Sequence, residues 1–252
     1  MYQISGLLRF PKLFHAFSTK DDGNMANSIL GKTYNFDQVV KNRRKFLEKI
    51  DTSVDASICM WVMHGDEVKV ADREKAAESM RNFDKALRLD GLVTRENRLY
   101  LFLNIADCLP IILYDPVKSA VGLAHAGWKG VDLEIVKKAI KKMEAEFGST
   151  PSDVVVGIGP CARAESFVKE NPSQKDDLRW SSFLKSVKED KYEIDLVGFV
   201  KKQLTNSGVL VKNIFDSGID TVKDKRFFSH VREGKLPLKQ QGRFACVVGL
   251  KV

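Results

Sequence analysis

The sequence is poor in the side chains that carry most protein chemistry. Its 252 residues include 4 cysteines and 4 histidines, and the cysteines are too far apart to form a CxxC pair. No apolar run reaches the roughly 18 residues that a membrane-spanning helix needs, and the first residues lack the basic and then apolar segments of a secretory signal. These absences exclude a disulfide-stapled miniprotein and argue against a membrane span. We therefore expect a cytoplasmic protein with reduced thiols and no membrane partner.

Acidic residues are also in short supply relative to basic ones. The chain has 41 lysines and arginines against 33 acids, which gives a formal net charge of +8 at pH 7. The lysines alternate with acids along predicted helices, whereas nucleic-acid-binding proteins concentrate cations on one face and place aromatic residues among them. We interpret the charge as a solvated, lysine-rich surface and expect no nucleic acid partner. A small anionic substrate would depend on a few well-placed cations rather than on the total.

Apolar periodicity predicts a mixture of helices and strands without strict alternation. Helices are predicted over 37–50, capped by Asn35 or Asp37, over 132–147, capped by Asp132, and over 175–187 and 196–205. Strands are predicted over 57–62, 68–70, 90–94, 99–106, 111–114, 120–125, 154–158, 209–215, 227–231 and 244–250. This mixture favours an α+β fold over a simple doubly wound sheet. No linker-like segment divides the chain, so we expect one domain over 1–252.

Three chemically active side chains stand where predicted strands end. Each of His64, Cys108 and His125 follows or closes an apolar strand, and strand ends next to loops are where sites are assembled. Two imidazoles and a thiolate would give a zinc site with an open fourth position, as in catalytic zinc sites. The same atoms would also serve a cysteine hydrolase, with Cys108 as nucleophile and His125 or His64 as its base. The residues alone leave both interpretations open.

Several short motifs follow one another in the order found in a known family. In chain order they are His64-Gly65-Asp66, Asp90-Gly91-Leu92-Val93-Thr94, Ala106-Asp107-Cys108-Leu109-Pro110-Ile111, Ala124-His125-Ala126-Gly127-Trp128-Lys129-Gly130 and Gly157-Ile158-Gly159-Pro160-Cys161. They resemble the YfiH family, long labelled multicopper polyphenol oxidoreductases or laccases and later described as purine nucleoside phosphorylases. Motifs near both ends are similar too, so the resemblance covers nearly the whole chain.

The resemblance implies a fold, a metal and a reaction. It implies a single domain in which two mixed β-sheets pack face to face with helices outside, and one zinc ion held by His64, Cys108 and His125. The implied activity is phosphorolysis of adenosine, inosine and methylthioadenosine, with inorganic phosphate as co-substrate and adenosine deamination in the same pocket. A copper phenol oxidase fits the sequence badly, because several coppers need many histidine ligands and this chain has 4 histidines.

Catalytic and phosphate-binding roles follow from this implied chemistry. Asp107 or Asp66 would carry the proton during deamination, and Asp107 adjoins a predicted metal ligand. Arg43, with Asn42, is the candidate for holding phosphate, because a planar guanidinium pairs with two phosphate oxygens. The alternative for Arg43 is an ordinary solvated helix cation.

Two residues near the C-terminal motifs, and some departures from the family pattern, complete the expectations. Arg232 is a second phosphate candidate or orients His230, which is expected in the substrate pocket. Met63 stands where a glutamine is usual and Phe167 where a tyrosine is common, and these changes concern substrate preference rather than zinc. The departures leave a zinc-stabilised binding module without turnover as an alternative to an enzyme. The sequence predicts no oligomeric state.

Overall fold

The structure, a computed structural model, describes residues 1–26, 28–29, 32–33 and 36–251. Its strands are β1 (Leu13–Phe17), β2 (Ser28–Ile29), β3 (Lys32–Thr33), β4 (Ser57–Trp61), β5 (Val68–Val70), β6 (Leu87–Arg88), β7 (Gly91–Thr94), β8 (Tyr100–Ile105), β9 (Leu109–Asp115), β10 (Ala120–Ala126), β11 (Val155–Ile158), β12 (Val168–Glu170), β13 (Leu184–Lys188), β14 (Lys191–Ile194), β15 (Ile214–Asp216) and β16 (Phe244–Leu250). Its α-helices are α1 (Phe36–Lys49), α2 (Ala76–Arg81), α3 (Trp128–Asp132), α4 (Ile135–Phe147), α5 (Leu196–Asn206) and α6 (His230–Glu233). Within these ranges no helix is long and apolar enough to cross a membrane.

Two mixed sheets make up most of the fold. One has five strands in the order β1-β16-β8-β4-β6, and the other has six in the order β15-β11-β9-β10-β7-β5. Apolar side chains occupy both faces of the central strands, because successive residues of a strand point to opposite sides. In β8, Leu101 and Leu103 face the layer between the two sheets, whereas Tyr100 and Phe102 face the helices outside. A smaller sheet, β12-β14-β13, and the β2-β3 pair complete the topology.

Three apolar layers hold the sheets and helices together. The middle layer joins the sheets face to face, for example through Leu103 of one sheet and Ile112 of the other. A second layer packs α4 and α5 on the six-stranded sheet, and a third packs α1 and α2 on the five-stranded sheet. The order of layers is therefore helix, sheet, sheet, helix. This confirms the α+β fold with two mixed sheets packed face to face that the sequence resemblance implied.

One crossing between the sheets brings three strand ends together. β4 and β8 are parallel neighbours, so both end at the same edge of the five-stranded sheet. The chain leaves β8, turns through Ala106 to Cys108, and begins β9 in the other sheet. There Leu109 pairs with Ala126 at the end of β10. The residues that follow β4, follow β8 and close β10 therefore meet at one place.

Some of the predicted helices have other bounds or caps in the structure. The helix predicted over 132–147 begins only at Ile135, and Asp132 is not its cap. Asp132 instead ends α3, and its carboxylate accepts hydrogen bonds from Trp180 Nε1 at 2.9 Å and from Arg179 Nη2 at 3.0 Å. The helix predicted over 37–50 is confirmed as α1, with Asp37 in its first turn. The other predicted cap, Asn35, lies outside the described residues.

Two further predictions are wrong because tertiary contacts outweigh local propensity. The segment 175–187 contains no α-helix: a short 3-10 turn carries Trp180, which is fully buried, and β13 follows in the small sheet. The segment 227–231 is no strand, because Ser229 caps α6 by accepting a hydrogen bond from Arg232 N. The strand predicted over 209–215 is reduced to β15. By contrast, the strand predicted over 244–250 coincides with β16.

Candidate metal centre

The structure brings His64, Cys108 and His125 together. One donor atom from each lies within 4.8 Å of the others, and the two imidazole rings are perpendicular, with centroids 4.9 Å apart. Within the described ranges this is the only group of three or more such side chains that could hold a metal ion. Two nitrogens and one sulfur at this spacing are the donor set of a three-ligand zinc site with an open position. The residues present therefore fit the zinc that the resemblance implies.

The three side chains differ in how they are held and how far they are exposed. His125 is 2% exposed and lies inside β10, whereas Cys108 is half-buried and His64 is exposed. His64 has φ +56, a left-handed conformation that is uncommon for residues other than glycine. It therefore depends on specific contacts to keep this turn in place.

Asp90 supplies those contacts, and the sequence analysis missed this role. Its carboxylate accepts hydrogen bonds from the main-chain N–H groups of His64 at 2.9 Å and Gly65 at 2.8 Å. Its Oδ1 also lies 2.8 Å from His125 Nδ1. The carboxylate therefore fixes the turn that carries one candidate ligand and orients the ring of another, as carboxylates behind metal-bound histidines do. An acid at the start of a fully buried strand was the available signal.

We expect Asp90→Asn to weaken zinc binding about 10- to 100-fold, the range found when the partner of a metal-bound histidine is changed. The amide can accept on one atom only, so it cannot serve both Gly65 N and His125 Nδ1 as the carboxylate does. Competition with a chromophoric chelator measures the affinity. Asp72→Asn is a matched control, because Asp72 caps a short turn and pairs with the exposed Lys75, with no contact to the cluster among these bonds. Equal zinc affinity in Asp90→Asn and wild type would contradict this role.

Electrostatics within the cluster favour a thiolate beside an imidazolium. Burial raises the pKa of the Cys108 thiol, but His125 and His64 outweigh it and bring the pKa down to about 6. Burial lowers the pKa of His125, but Cys108 and Asp90 outweigh it and bring the pKa up to about 9. Elsewhere burial raises the pKa of Cys161 to about 12. Cys108 is thus suited to bind a metal or to act as a nucleophile, whereas Cys161 is a packing thiol.

The glycine-rich turn after β10 leaves no room for side chains beside the cluster. A Cβ at Gly127 would lie 3.1 Å from Cys108 Sγ and 3.2 Å from His125 Cε1. A Cβ at Gly130 would lie 2.9 Å from the carbonyl oxygen of Gly65. These close approaches explain why glycine occupies both positions in the Gly127-Trp128-Lys129-Gly130 motif.

Asp107, a predicted proton carrier, forms hydrogen bonds with several separate segments of the chain. It is 6% exposed and has φ +75, and its main-chain oxygen accepts from Ala162 N at 2.9 Å. Its carboxylate accepts hydrogen bonds from Thr221 Oγ1 at 2.6 Å, Ser229 Oγ at 3.1 Å and Val231 N at 2.6 Å. Since both oxygens are engaged, the geometry favours a role in joining three segments over proton transfer. Asp66, the other candidate, pairs with Lys138 and has a 29% exposed side chain.

Arg43 and Asn42 do not lie where the phosphate prediction needs them. Arg43 is 3% exposed, and its Nε and Nη1 donate to the carbonyl oxygens of Met25 and Met80, both at 2.9 Å. The guanidinium also lies over the ring of Phe102, on the outer face of the five-stranded sheet. Asn42 Nδ2 donates to a main-chain carbonyl at 2.9 Å. Arg43 is therefore not a solvated cation but a buried cation bonded to the main chain, and the use of its Nε and Nη1 donors argues against the predicted phosphate role.

Arg232 is likewise occupied by the protein itself. Its Nη1 donates to the carbonyl oxygens of Thr221 and Val222, and its Nη2 donates to Phe227 O and pairs with Glu233. These bonds argue against the phosphate role predicted for Arg232, since its guanidinium holds the loop before α6 together. A contact from Arg232 to His230 is not among these bonds.

His230 is exposed at the start of α6. Partial desolvation of its ring lowers its pKa, and the positive charge of Arg243 adds to the lowering. The N–H of the next residue, Val231, donates to Asp107 Oδ2 at 2.6 Å, so His230 lies near the turn that carries Cys108. Of the two departures noted in the sequence, Met63 is 53% exposed and donates its N–H to Asp90, and Phe167 packs on Trp128 with ring centroids 5.6 Å apart.

Sequence comparison places the chain in a known family. A family profile described as "Multi-copper polyphenol oxidoreductase laccase" matches residues 15–251. The chain belongs to this family, the YfiH family. Among curated relatives, it is 31% identical to "Purine nucleoside phosphorylase YlmD" of Bacillus subtilis over 224 residues, which cover 84% of this chain and 77% of that protein. It is 33% identical to "Purine nucleoside phosphorylase LACC1" of Homo sapiens over 152 residues, 58% of this chain and 35% of that protein.

Solved structures agree with this assignment. The chain superposes on the Bacillus licheniformis hypothetical protein YfiH with a TM-score of 0.83 at 28% identity, covering 95% of this chain and 93% of that one. It superposes on YlmD from Geobacillus stearothermophilus with a TM-score of 0.84 at 25% identity, covering 96% and 93%. The family membership and the layered fold therefore rest on nearly the whole chain.

Proposed function

We propose that the protein is a zinc-dependent purine nucleoside phosphorylase that acts on adenosine, inosine and methylthioadenosine and also deaminates adenosine. The observation that carries this proposal is the His64–Cys108–His125 cluster, built on Asp90, in a chain whose curated relatives are named purine nucleoside phosphorylases. A single three-donor cluster in the described ranges suits one metal ion better than several coppers. All four cysteines are free thiols, which agrees with a cytoplasmic location.

The protein side chains divide the work around the metal. His64, Cys108 and His125 would hold the zinc, and Asp90 keeps the ring of His125 and the turn at His64 in position. When bound, zinc supplies Lewis-acid chemistry and lowers the pKa of a group that it contacts. We propose Asp66 rather than Asp107 as the carboxylate that moves a proton, because the Asp107 oxygens already accept three hydrogen bonds.

Phosphorolysis requires that phosphate, nucleoside and a proton donor be brought together. A phosphate oxygen forms a bond to C1′ of the ribose while the bond from C1′ to the purine nitrogen breaks. The bonding pair leaves with the purine, which takes up a proton. The chain contributes binding and orientation, since reactants held in attack geometry react far faster than free ones. His230, near the turn that carries Cys108, is the proposed pocket residue for the nucleoside.

Metal analysis and a nucleoside assay test the proposal together. We expect about one zinc per chain. We also expect inosine in phosphate buffer to be converted to hypoxanthine and ribose 1-phosphate, which chromatography measures. Removing the metal with a chelator should stop the reaction, and added zinc should restore it. Undiminished turnover after complete metal removal would contradict the proposal.

A cysteine hydrolase is the second candidate, because a Cys108 thiolate next to a His125 imidazolium is also the ion pair of a nucleophilic cysteine and the histidine that has taken its proton. It predicts ester or amide hydrolysis that chelators leave unchanged and that thiol alkylation stops. A zinc-stabilised binding module predicts zinc without turnover of any nucleoside. The assays above therefore separate the three functions.

A further inference from the structure

We propose that the protein has a second ligand site, at the end of the five-stranded sheet opposite to the metal centre, and that this site binds a nucleoside monophosphate. The site is an open cavity of about 720 Å³ between the outer face of that sheet and the chain that follows α1. Cavities that hold small organic ligands have volumes of about 300–1,000 Å³. The second site is independent of the nucleoside chemistry proposed above.

The cavity lies at the start of β8, whereas the metal centre lies beyond the end of this strand. Tyr100 begins β8 and lines the cavity, and Cys108 comes three residues after Ile105, the last residue of the strand. The six residues of β8 span about 17 Å, because an extended strand rises about 3.3 Å per residue. A ligand in this cavity is therefore clear of the candidate zinc site.

Two aromatic rings form the floor of the cavity. Phe14 of β1 pairs with Gly249 of β16, and a Cβ at Gly249 would lie 2.5 Å from Tyr100 Cδ1. The glycine therefore leaves room for the Tyr100 ring to lie over β16 towards Phe14. The centroids of the two rings are 5.7 Å apart in a T-shaped arrangement. Both residues line the cavity, and their rings offer an apolar surface to a flat ligand group.

Arg98 and Lys251 place two positive charges beside these rings. Both side chains line the cavity and are exposed, and Lys251 Nζ lies 5.6 Å from the centroid of the Phe14 ring. Arg98 has φ +58, and its N–H donates to Leu250 O at 2.9 Å, which holds the turn that carries its side chain. Neither cation has a carboxylate within ion-pair distance among the residues that the structure describes. A guanidinium and an ammonium with free donors are suited to bind a phosphate group.

The wall of the cavity also holds oxygen atoms without hydrogen-bond partners. Tyr100 is 8% exposed, and its hydroxyl has no partner in the described part of the chain. Thr52 Oγ1 is buried and has no partner there either. Buried polar groups are normally hydrogen-bonded, so these two oxygens indicate a partner that the chain itself does not supply.

A nucleoside monophosphate carries the groups that these residues would bind. Its phosphate suits Arg98 and Lys251, its base suits the aromatic floor, and its ribose hydroxyls suit the unpaired oxygens. Asp51, an acid in the same wall, can accept a hydrogen bond from a ribose hydroxyl. The two cations outnumber this acid, so the wall keeps a net positive charge.

Calorimetric titration of the zinc-loaded protein with adenosine 5′-monophosphate tests the second site. We expect Arg98→Ala to weaken binding about 10- to 100-fold, the effect of losing charged hydrogen bonds, and Arg98→Lys to recover part of the loss because it keeps the charge. Arg98→Ala should fold normally, because the side chain is exposed and alanine keeps the Cβ that arginine has at this φ. Arg95→Ala is the matched control and should leave binding unchanged, because it removes the same charge from an exposed arginine that lies over Phe147.

Tyr100→Phe tests the wall of the cavity, because it removes the hydroxyl and keeps the ring. We expect it to weaken binding of adenosine 5′-monophosphate about 3- to 10-fold, as for one hydrogen bond. The KM for inosine should stay at the wild-type value in Tyr100→Phe and in Arg98→Ala, since both residues lie at the far end of β8 from the metal centre.

Equal affinity for adenosine 5′-monophosphate in Arg98→Ala and wild type would overturn the second site. Binding that Cys108→Ala loses and Arg98→Ala keeps would belong to the metal centre and would overturn it as well. Ribose 5-phosphate that binds as tightly as adenosine 5′-monophosphate would refute the role of the aromatic floor and thus the nucleotide assignment. The titration reports on the second site whether or not the protein phosphorolyses inosine.

Discussion

Replacing Cys108 with alanine is expected to abolish tight zinc binding and nucleoside phosphorolysis together. The change removes the one sulfur donor of the cluster and leaves two imidazoles within 4.8 Å. Structural zinc sites bind with about 10–16 kcal/mol from four ligands, so one thiolate contributes about 3 kcal/mol, or about 100-fold in affinity. The loss of the thiolate should also lower the pKa of His125, because the thiolate is the largest influence that raises this pKa.

Plasma emission spectroscopy after gel filtration, with the inosine assay on the same fractions, measures both losses. Cys246→Ala is the matched control: its thiol is buried in the layer between the sheets, so the variant should keep zinc and turnover. Full zinc retention in Cys108→Ala would refute the ligand assignment. Zinc retention with loss of ester hydrolysis would favour the cysteine hydrolase instead.

Asp107→Ala is expected to lower the free energy of unfolding by about 3–5 kcal/mol, because it removes the charged acceptor of three hydrogen bonds, two of them buried. Three donors, Thr221 Oγ1, Ser229 Oγ and Val231 N, would lose their acceptor in a nearly closed space. Alanine is also poorly suited to φ +75, where aspartate and asparagine are tolerated. Urea unfolding followed by tryptophan fluorescence measures the change.

Asp107→Asn separates the structural role from proton transfer. It keeps the left-handed conformation and one acceptor oxygen, so we expect a smaller loss of stability than in alanine and measurable activity once zinc is bound. Asp115→Asn, which changes a buried carboxylate at the end of β9, provides a stability comparison remote from the site. An Asp107→Asn variant that is as stable as wild type, zinc-loaded and inactive would restore the proton-carrier interpretation.

Much of the fold is predictable because its strands carry apolar residues on both faces. β8, β9, β10 and β16 are apolar at most of their positions, and a sheet covered on both faces favours such strands. The segments around Trp180 and Ser229 were mispredicted for the opposite reason. Trp180 Nε1 donates a hydrogen bond to the Asp132 carboxylate, and Ser229 Oγ donates one to the Asp107 carboxylate. Both acceptors are distant in sequence from their donors. Local patterns carry no information about such partners.

The site was predictable to the extent that its residues stand at strand ends. His64, Cys108 and His125 were found in this way, and the structure brings them together. Residues that act through the main chain were not identified correctly. Arg43 has the chemistry of a phosphate ligand, but its guanidinium binds two carbonyl oxygens. The motif that begins with Asp90 is recognisable in the sequence, but the function of its carboxylate, which holds three N–H groups and one ring, becomes visible only when the turn after β4 is folded against it.

The three candidate metal ligands differ in exposure, and this difference predicts an order in which they release and bind a metal ion. His125 is sealed in β10 with Asp90 behind it, whereas His64 stands in solvent on a short left-handed turn. We expect a departing ion to release His64 first and an arriving ion to bind it last. The exchange rate is then governed by the motion of one turn rather than by separation of the sheets. A chelator should therefore strip the centre while the protein stays folded.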